Sequence, residues 1–133
     1  MSGTPRPLLS AMGAVEAATG LVLVTAPSLL VELLLGAAPG TAAGVTASRV
    51  AGAAILALGV ACWLARENAA GGAARGLIVA MLLYNAAVVA ILVLAWANQG
   101  MFGIALWPVV LAHAALAVWC VVAVAAGSEE KRS

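Results

Sequence analysis

One histidine, one tyrosine, one phenylalanine and two cysteines are the chain's whole supply of those side chains in 133 residues, and only 8% of it is charged. Each scarcity closes a class of function. A single histidine does not supply the second axial ligand that bis-histidine haem ligation needs. Cys62 and Cys120 do not form the Cys-x-x-Cys pair of a redox dithiol and read instead as small buried hydrophobes. Six basic against five acidic residues leave a net charge of +1, without the concentrated field that holds nucleic acid. No nucleotide loop, Gly-x-Ser-x-Gly elbow, His-Glu-x-x-His pair or acidic metal cluster occurs. Of the five carboxyl side chains, Glu67, Glu129 and Glu130 fall in polar segments, which leaves little material for a hydrolytic site. The chain therefore reads as non-enzymatic, with no cofactor, no metal and no nucleic-acid partner.

What the chain has in excess is apolar and small. It is 65% hydrophobic with a mean hydropathy of +1.16, and it contains 34 alanines and 14 glycines. That composition excludes a water-soluble globule and points to lipid as the solvent, with helices meeting through small residues. A helix needs about 20 residues to cross about 30 Å of hydrocarbon. Four apolar runs meet that length, at 8–26, 45–65, 76–97 and 107–126. They are continuous and rich in alanine and leucine, whereas a membrane β-barrel alternates polar and apolar residues, so the expected fold is all-α. The first run is preceded only by Arg6, contains Glu16 and leads into Pro27 and a further apolar run, so it reads as a retained span rather than a cleaved signal. The whole chain, 1–133, is expected to be a single transmembrane bundle of four helices in up-down-up-down order.

The connections are short. Pro27 to Gly36 suggests a proline break, a Ser28 cap, two helical turns over 28–35 and a glycine stop. That segment either lies along the interface or continues the first span past a kink. Thr41 is a candidate cap for the second span, Gly71-Gly72 marks a flexible central loop, and Pro108 suits the first helical position of the last span. Arg6, Arg66, Arg75, Lys131 and Arg132 fall on one side of the spans and only Arg49 falls toward the other. This distribution predicts a multi-pass protein with both termini and the central loop in the cytoplasm. Trp63 and Trp119 sit near the inner boundary, Trp96 and Trp107 near the outer, as an aromatic belt does.

Polar residues within the spans cost roughly 2.5 to 3.5 kcal/mol each when ionisable, so each asks for a partner, a cavity or a function. At a rise of about 1.5 Å per residue, Glu16 lies about 12 Å from the cytoplasmic end, Tyr84 and Asn85 about 12 to 14 Å, His113 about 20 Å and Arg49 about 25 Å. Glu16 shares a helical face with Gly13, Thr19 and Gly20, so it should point inward. It is either a carboxyl that exchanges a proton or holds a cationic ligand, or interhelical glue bonded to Asn85 or Tyr84. His113 is a proton carrier, a metal ligand or a satisfied core imidazole. Arg49 and Glu32 suggest either an interfacial ion pair or an anion site at the outer mouth. Gly52 and Gly59, with Ala53, Ala57 and Ala61 beside them, make the second span the packing spine.

The segment Glu16-Ala17-Ala18-Thr19-Gly20-Leu21-Val22-Leu23 resembles a stretch of the DoxX-like group of small four-helix bacterial membrane proteins, and the short loops and overall length look similar. The resemblance implies a bacterial inner-membrane location and, for some members, accessory subunits of membrane oxidoreductase systems. A mid-membrane glutamate in the first of four helices is also similar to the small multidrug exporters, in which that carboxyl exchanges protons for cationic drugs. Those exporters have shorter connections and an aromatic third helix, whereas Ile78 to Leu94 here has Tyr84 as its only aromatic. The leading expectation is an accessory or small-ligand-binding subunit with a polar intramembrane site of Glu16, Tyr84, Asn85 and His113. The alternatives are a proton-coupled transporter using Glu16 and a structural assembly factor. Expected partners are the bilayer and either another membrane protein or further copies of the chain.

Overall fold

Proline and glycine divide the apolar runs into helices. The computed structural model describes residues 5–129. It contains α1 (Arg6–Thr25), α2 (Pro27–Leu35), α3 (Ala42–Ala65), α4 (Gly72–Gln99) and α5 (Leu106–Glu129). A single 3-10 turn, Arg66–Asn68, follows α3, and no strand occurs among the described residues. Helices α1, α3, α4 and α5 are long and apolar enough to cross a membrane. Glu130, Lys131 and Arg132 lie outside the described residues.

Local chemistry sets the boundaries. At Ala26 the backbone leaves the helical region (φ −133°, ψ 59°), so α2 is a separate helix and not a kinked continuation of α1. Pro27 opens it from the first helical position, where its missing N–H costs nothing, and Ser28 does not cap it. Gly36 closes α2 in the left-handed region (φ 81°), and its N–H donates to Glu32 O at 2.8 Å. Thr41 caps α3 by accepting the Gly44 N–H at 3.0 Å. Helix α5 begins at Leu106, so Pro108 falls inside its first turn, among donors that have no intrahelical acceptor.

Helices α1 and α3 form the most intimate pair and α4 with α5 the second, while α3 and α4 touch little. The first pair is drawn together by two glycines on each helix, seven residues apart: Gly13 and Gly20 against Gly52 and Gly59. A Cβ on Gly13 would lie 3.0 Å from Trp63 N, and one on Gly52 would lie 2.8 Å from Val24 N and 3.0 Å from Gly20 O. Residue numbers rise along α1 as they fall along α3, so the two run antiparallel. With no aqueous drive between helices in lipid, such close backbone approach gives the dispersion contact that replaces it. Ala53 and Ala57 are exposed, so the glycine stripe of α3 packs on α1 and the alanine stripe does not.

The ends of the bundle are tied by specific bonds. At one end the connection between α4 and α5 runs across α2: Gly103 N–H donates to Leu34 O at 3.2 Å and Ala105 N–H to Leu33 O at 2.8 Å. These bonds supply donors to the last carbonyls of α2. At the other end the Arg75 guanidinium donates to Gly127 O (3.3 Å) and Ser128 Oγ (2.8 Å), joining α4 to the last turn of α5. Between these ends Leu8, Leu9, Met12, Met81 and the two free cysteines are fully buried, with Cys120 Sγ 3.8 Å from Met12 Sδ. The outside is apolar instead: Leu64, Leu83, Ile91 and Leu111 are each more than 60% exposed. In water such a surface would aggregate, whereas hydrocarbon solvates it. Trp96 meets Trp107 edge to face at 5.2 Å at one end, and the Arg66 guanidinium lies 3.6 Å over the Trp63 ring at the other.

Candidate functional site

Because Gly13 and Gly20 are pressed against α3, the residue between them on the neighbouring face, Glu16, is turned toward α4 and α5. It is completely buried. The Tyr84 hydroxyl on α4 donates to Glu16 Oε2 at 3.1 Å. From α5, His113 brings Nε2 to 3.9 Å from Glu16 Oε1, within range of an ionic attraction but beyond a hydrogen bond. The Tyr84 and His113 rings are tilted at 56° with centroids 6.0 Å apart.

The histidine's second contact fixes its tautomer. Nδ1 lies 2.9 Å from Val109 O, and a carbonyl oxygen only accepts. A ring proton therefore sits on Nδ1, and Nε2, when it carries none, is an acceptor facing Glu16. Glu16 Oε1 itself has no hydrogen-bond partner among the described residues. Asn85, also fully buried, donates from Nδ2 to Met81 O at 2.7 Å one turn back on its own helix, and its Oδ1 is likewise unpartnered. Glu16, Tyr84 and His113 are thus brought together, while Asn85 stands beside them with its own local bond.

Two expectations need correcting. The sequence puts His113 well above Glu16, yet their side chains meet. Span ends read from hydropathy are not coplanar, since α5 continues to Glu129, beyond the apolar run that ends at Ala126, and both side chains are long enough to close the remaining offset. Arg49 and Glu32 form no ion pair with each other; both are exposed, on the outward faces of α3 and α2. Neither belongs to the buried cluster. Among the described residues no three histidine, cysteine or carboxylate side chains gather where they would hold a metal ion.

Beside the cluster is a feature that sequence reasoning missed, a cavity of about 270 Å³. Its walls come from all five helices: Thr19 and Leu23 of α1, Leu30 and Leu34 of α2, Ser48 and Ile55 of α3, Val88 and Leu92 of α4, and Val109 of α5. Tyr84 and His113 also line it and connect it to Glu16. Ala51 and Ile91 line it too and are exposed on the outside, so the space is open on one side between α3 and α4. It exists because two well-closed helix pairs meet loosely, a shape that no residue spacing announces. A largely apolar space with a few convergent polar groups at one end is what small-molecule sites look like. No family model, curated protein or solved structure matches this chain.

Proposed function

We propose that the protein is a non-enzymatic ligand-binding subunit of the bacterial inner membrane, holding a small apolar molecule between its two helix pairs with the molecule's polar end at Tyr84 and His113. The observation that carries this reading is the half-open cavity ending on the buried Tyr84–Glu16–His113 cluster. The likeness of residues 16–23 to DoxX-like proteins supports the accessory role; copurification with a membrane complex is its test, and recovery of the chain alone or as a homo-oligomer opposes it.

A photoreactive alkyl diazirine tests the cavity in lipid nanodiscs. Adducts are expected on Ile55 or Val88, and Ala51→Trp, which fills the open side, should reduce them about tenfold. Labelling spread evenly over the lipid-facing sides of α3 and α4 in both proteins would remove the reading.

In this proposal the four long helices run up, down, up, down with both termini cytoplasmic. The support is the grouping of Arg6, Arg66 and Arg75 at one end of the helices, with Arg49 alone toward the other. A Cβ at Gly40 or Gly72 meets nothing within 4 Å, so cysteine is tolerated at both. A bulky, impermeant maleimide should label Gly40→Cys on intact spheroplasts and Gly72→Cys only after permeabilisation, with the buried native cysteines silent. The opposite pattern reverses the orientation.

The approach of Glu16 to His113 also favours a second reading, proton-coupled transport through Glu16. That reading predicts uptake into vesicles that follows a pH gradient and stops in Glu16→Gln; uptake by the Gln variant rejects it.

A further inference from the structure

We infer that the cavity selects a lipid-soluble molecule bearing a hydroxyl, a phenol or an alcohol with an apolar tail, over one whose only polar group is an ether or carbonyl oxygen. The inference rests on the cavity being a ligand site, as proposed above, and it follows from an inventory of protons.

Tyr84 has one hydroxyl proton, and it is given to Glu16 Oε2. The His113 Nδ1–H is given to Val109 O. Of the four polar side chains that line the cavity, Tyr84, His113 and Ser48, whose hydroxyl goes to Gly44 O, have therefore committed their donors, and Thr19 is the fourth. What remains beside the carboxyl is His113 Nε2, an acceptor when it carries no proton, facing Glu16 Oε1, a fully buried oxygen with no partner among the described residues. The 3.9 Å between them is too long for a direct bond. An oxygen placed about 2.8 Å from each would complete a triangle with an angle of roughly 90° at that oxygen, which a hydroxyl accommodates.

A hydroxyl has a bond to make in either protonation state of the carboxyl, and it satisfies both atoms when the carboxyl is neutral. With Glu16 neutral and its proton on Oε1, the hydroxyl accepts from Glu16 and donates to Nε2. With Glu16 ionised, the hydroxyl donates to Oε1 instead. An ether or carbonyl oxygen accepts in the first state only, and in neither does it supply a proton to Nε2. A buried acceptor left unpaired is the origin of strong discrimination against analogues that lack the hydroxyl.

Size narrows the class further. An apolar cavity of about 150 Å³ takes up benzene. At about 270 Å³ this one accommodates a ring and several methylenes. Its open side at Ala51 and Ile91 lets a longer chain continue between α3 and α4 into the acyl region.

The experiment is displacement of the alkyl diazirine from Ile55 and Val88 in nanodiscs by 4-octylphenol and by its methyl ether, 4-octylanisole, with concentrations expressed per lipid. The phenol should displace the label at a concentration at least about tenfold lower than the ether. His113→Phe should bring the two together chiefly by weakening the phenol. Equal displacement by both compounds in the wild-type protein overturns the inference and leaves the cavity reading standing. A tenfold preference that survives intact in a folded His113→Phe protein also overturns it. Failure of both compounds to displace the label, or absence of label from the cavity, removes the ligand site itself. Should His113→Phe not fold, the wild-type ratio decides alone.

Discussion

Gly20→Ala is expected to lower the stability of the protein by about 3 kcal/mol, a large effect for one methyl group. The added carbon would lie 2.7 Å from both Gly52 O and Leu56 Cα, atoms of the facing backbone that have no rotamer through which to withdraw. Helix α1 would have to move off α3, and the loss would spread along the seam to Gly13, Gly52 and Gly59. Gly59→Ala, directed at the backbone of Ala17, should behave alike, and the two together should cost less than the sum, because either one already opens the same seam. Gly76→Ala provides the opposite sign. It lies in α4, a Cβ there meets nothing within 4 Å, and alanine should stabilise the helix by about 0.5 to 1 kcal/mol. Unfolding titrations in mixed detergent micelles, followed by circular dichroism, measure all of these. A Gly20→Ala protein as stable as wild type would mean that α1 and α3 do not approach through their glycines.

Substitution at Glu16 should divide sharply by side-chain chemistry. Glu16→Leu removes the acceptor of the Tyr84 hydroxyl and the carboxyl that faces His113 Nε2, leaving the hydroxyl without its partner. A loss of about 2 kcal/mol is expected, the cost of orphaning buried hydrogen-bonding groups. Glu16→Gln should remain within about 0.5 kcal/mol of wild type. Its amide oxygen accepts from Tyr84, and its NH₂ points a donor at His113 Nε2. The Gln variant therefore keeps the neutral form of the network while removing the exchangeable proton, so stability and proton-linked function come apart in one protein. Equal stability in the Leu and Gln variants, by the same titration, would show that the cluster does not hold the helices together.

Much of the scaffold is legible in the chain because membrane helices follow from local properties. Twenty consecutive apolar residues must satisfy their own backbone polar groups in hydrocarbon, whatever their neighbours do. The four long helices lie where the apolar runs are, and Pro27, Gly36, Thr41 and the glycine pair at 71–72 mark boundaries through chemistry confined to a few residues. Glu16 is inward-facing for a similar reason: its small neighbours at Gly13 and Gly20 identify a packing face on one helix alone.

The partner of each face is not local information. Gly52 and Gly59 mark a stripe on α3 but not the helix that fills it, and the alanine stripe beside them looked equally suitable. Hydropathy placed the ends of each span but not their relative heights, so the meeting of His113 with Glu16 was hidden. The exposed positions of Arg49 and Glu32 were hidden in the same way, since charge alone suggested a pair.

From its residues by themselves, then, the chain determined that it forms helices long enough for lipid and that a few polar side chains lie among them, because these are consequences of composition and of periodicity within single segments. Tertiary structure alone decided which helices close on each other, which acceptor receives the Tyr84 proton, and where α3 and α4 stand apart to leave a cavity. Those outcomes depend on the fit between surfaces of different segments, and in hydrocarbon, where one apolar face is solvated as well as another, shape and not hydropathy makes the choice.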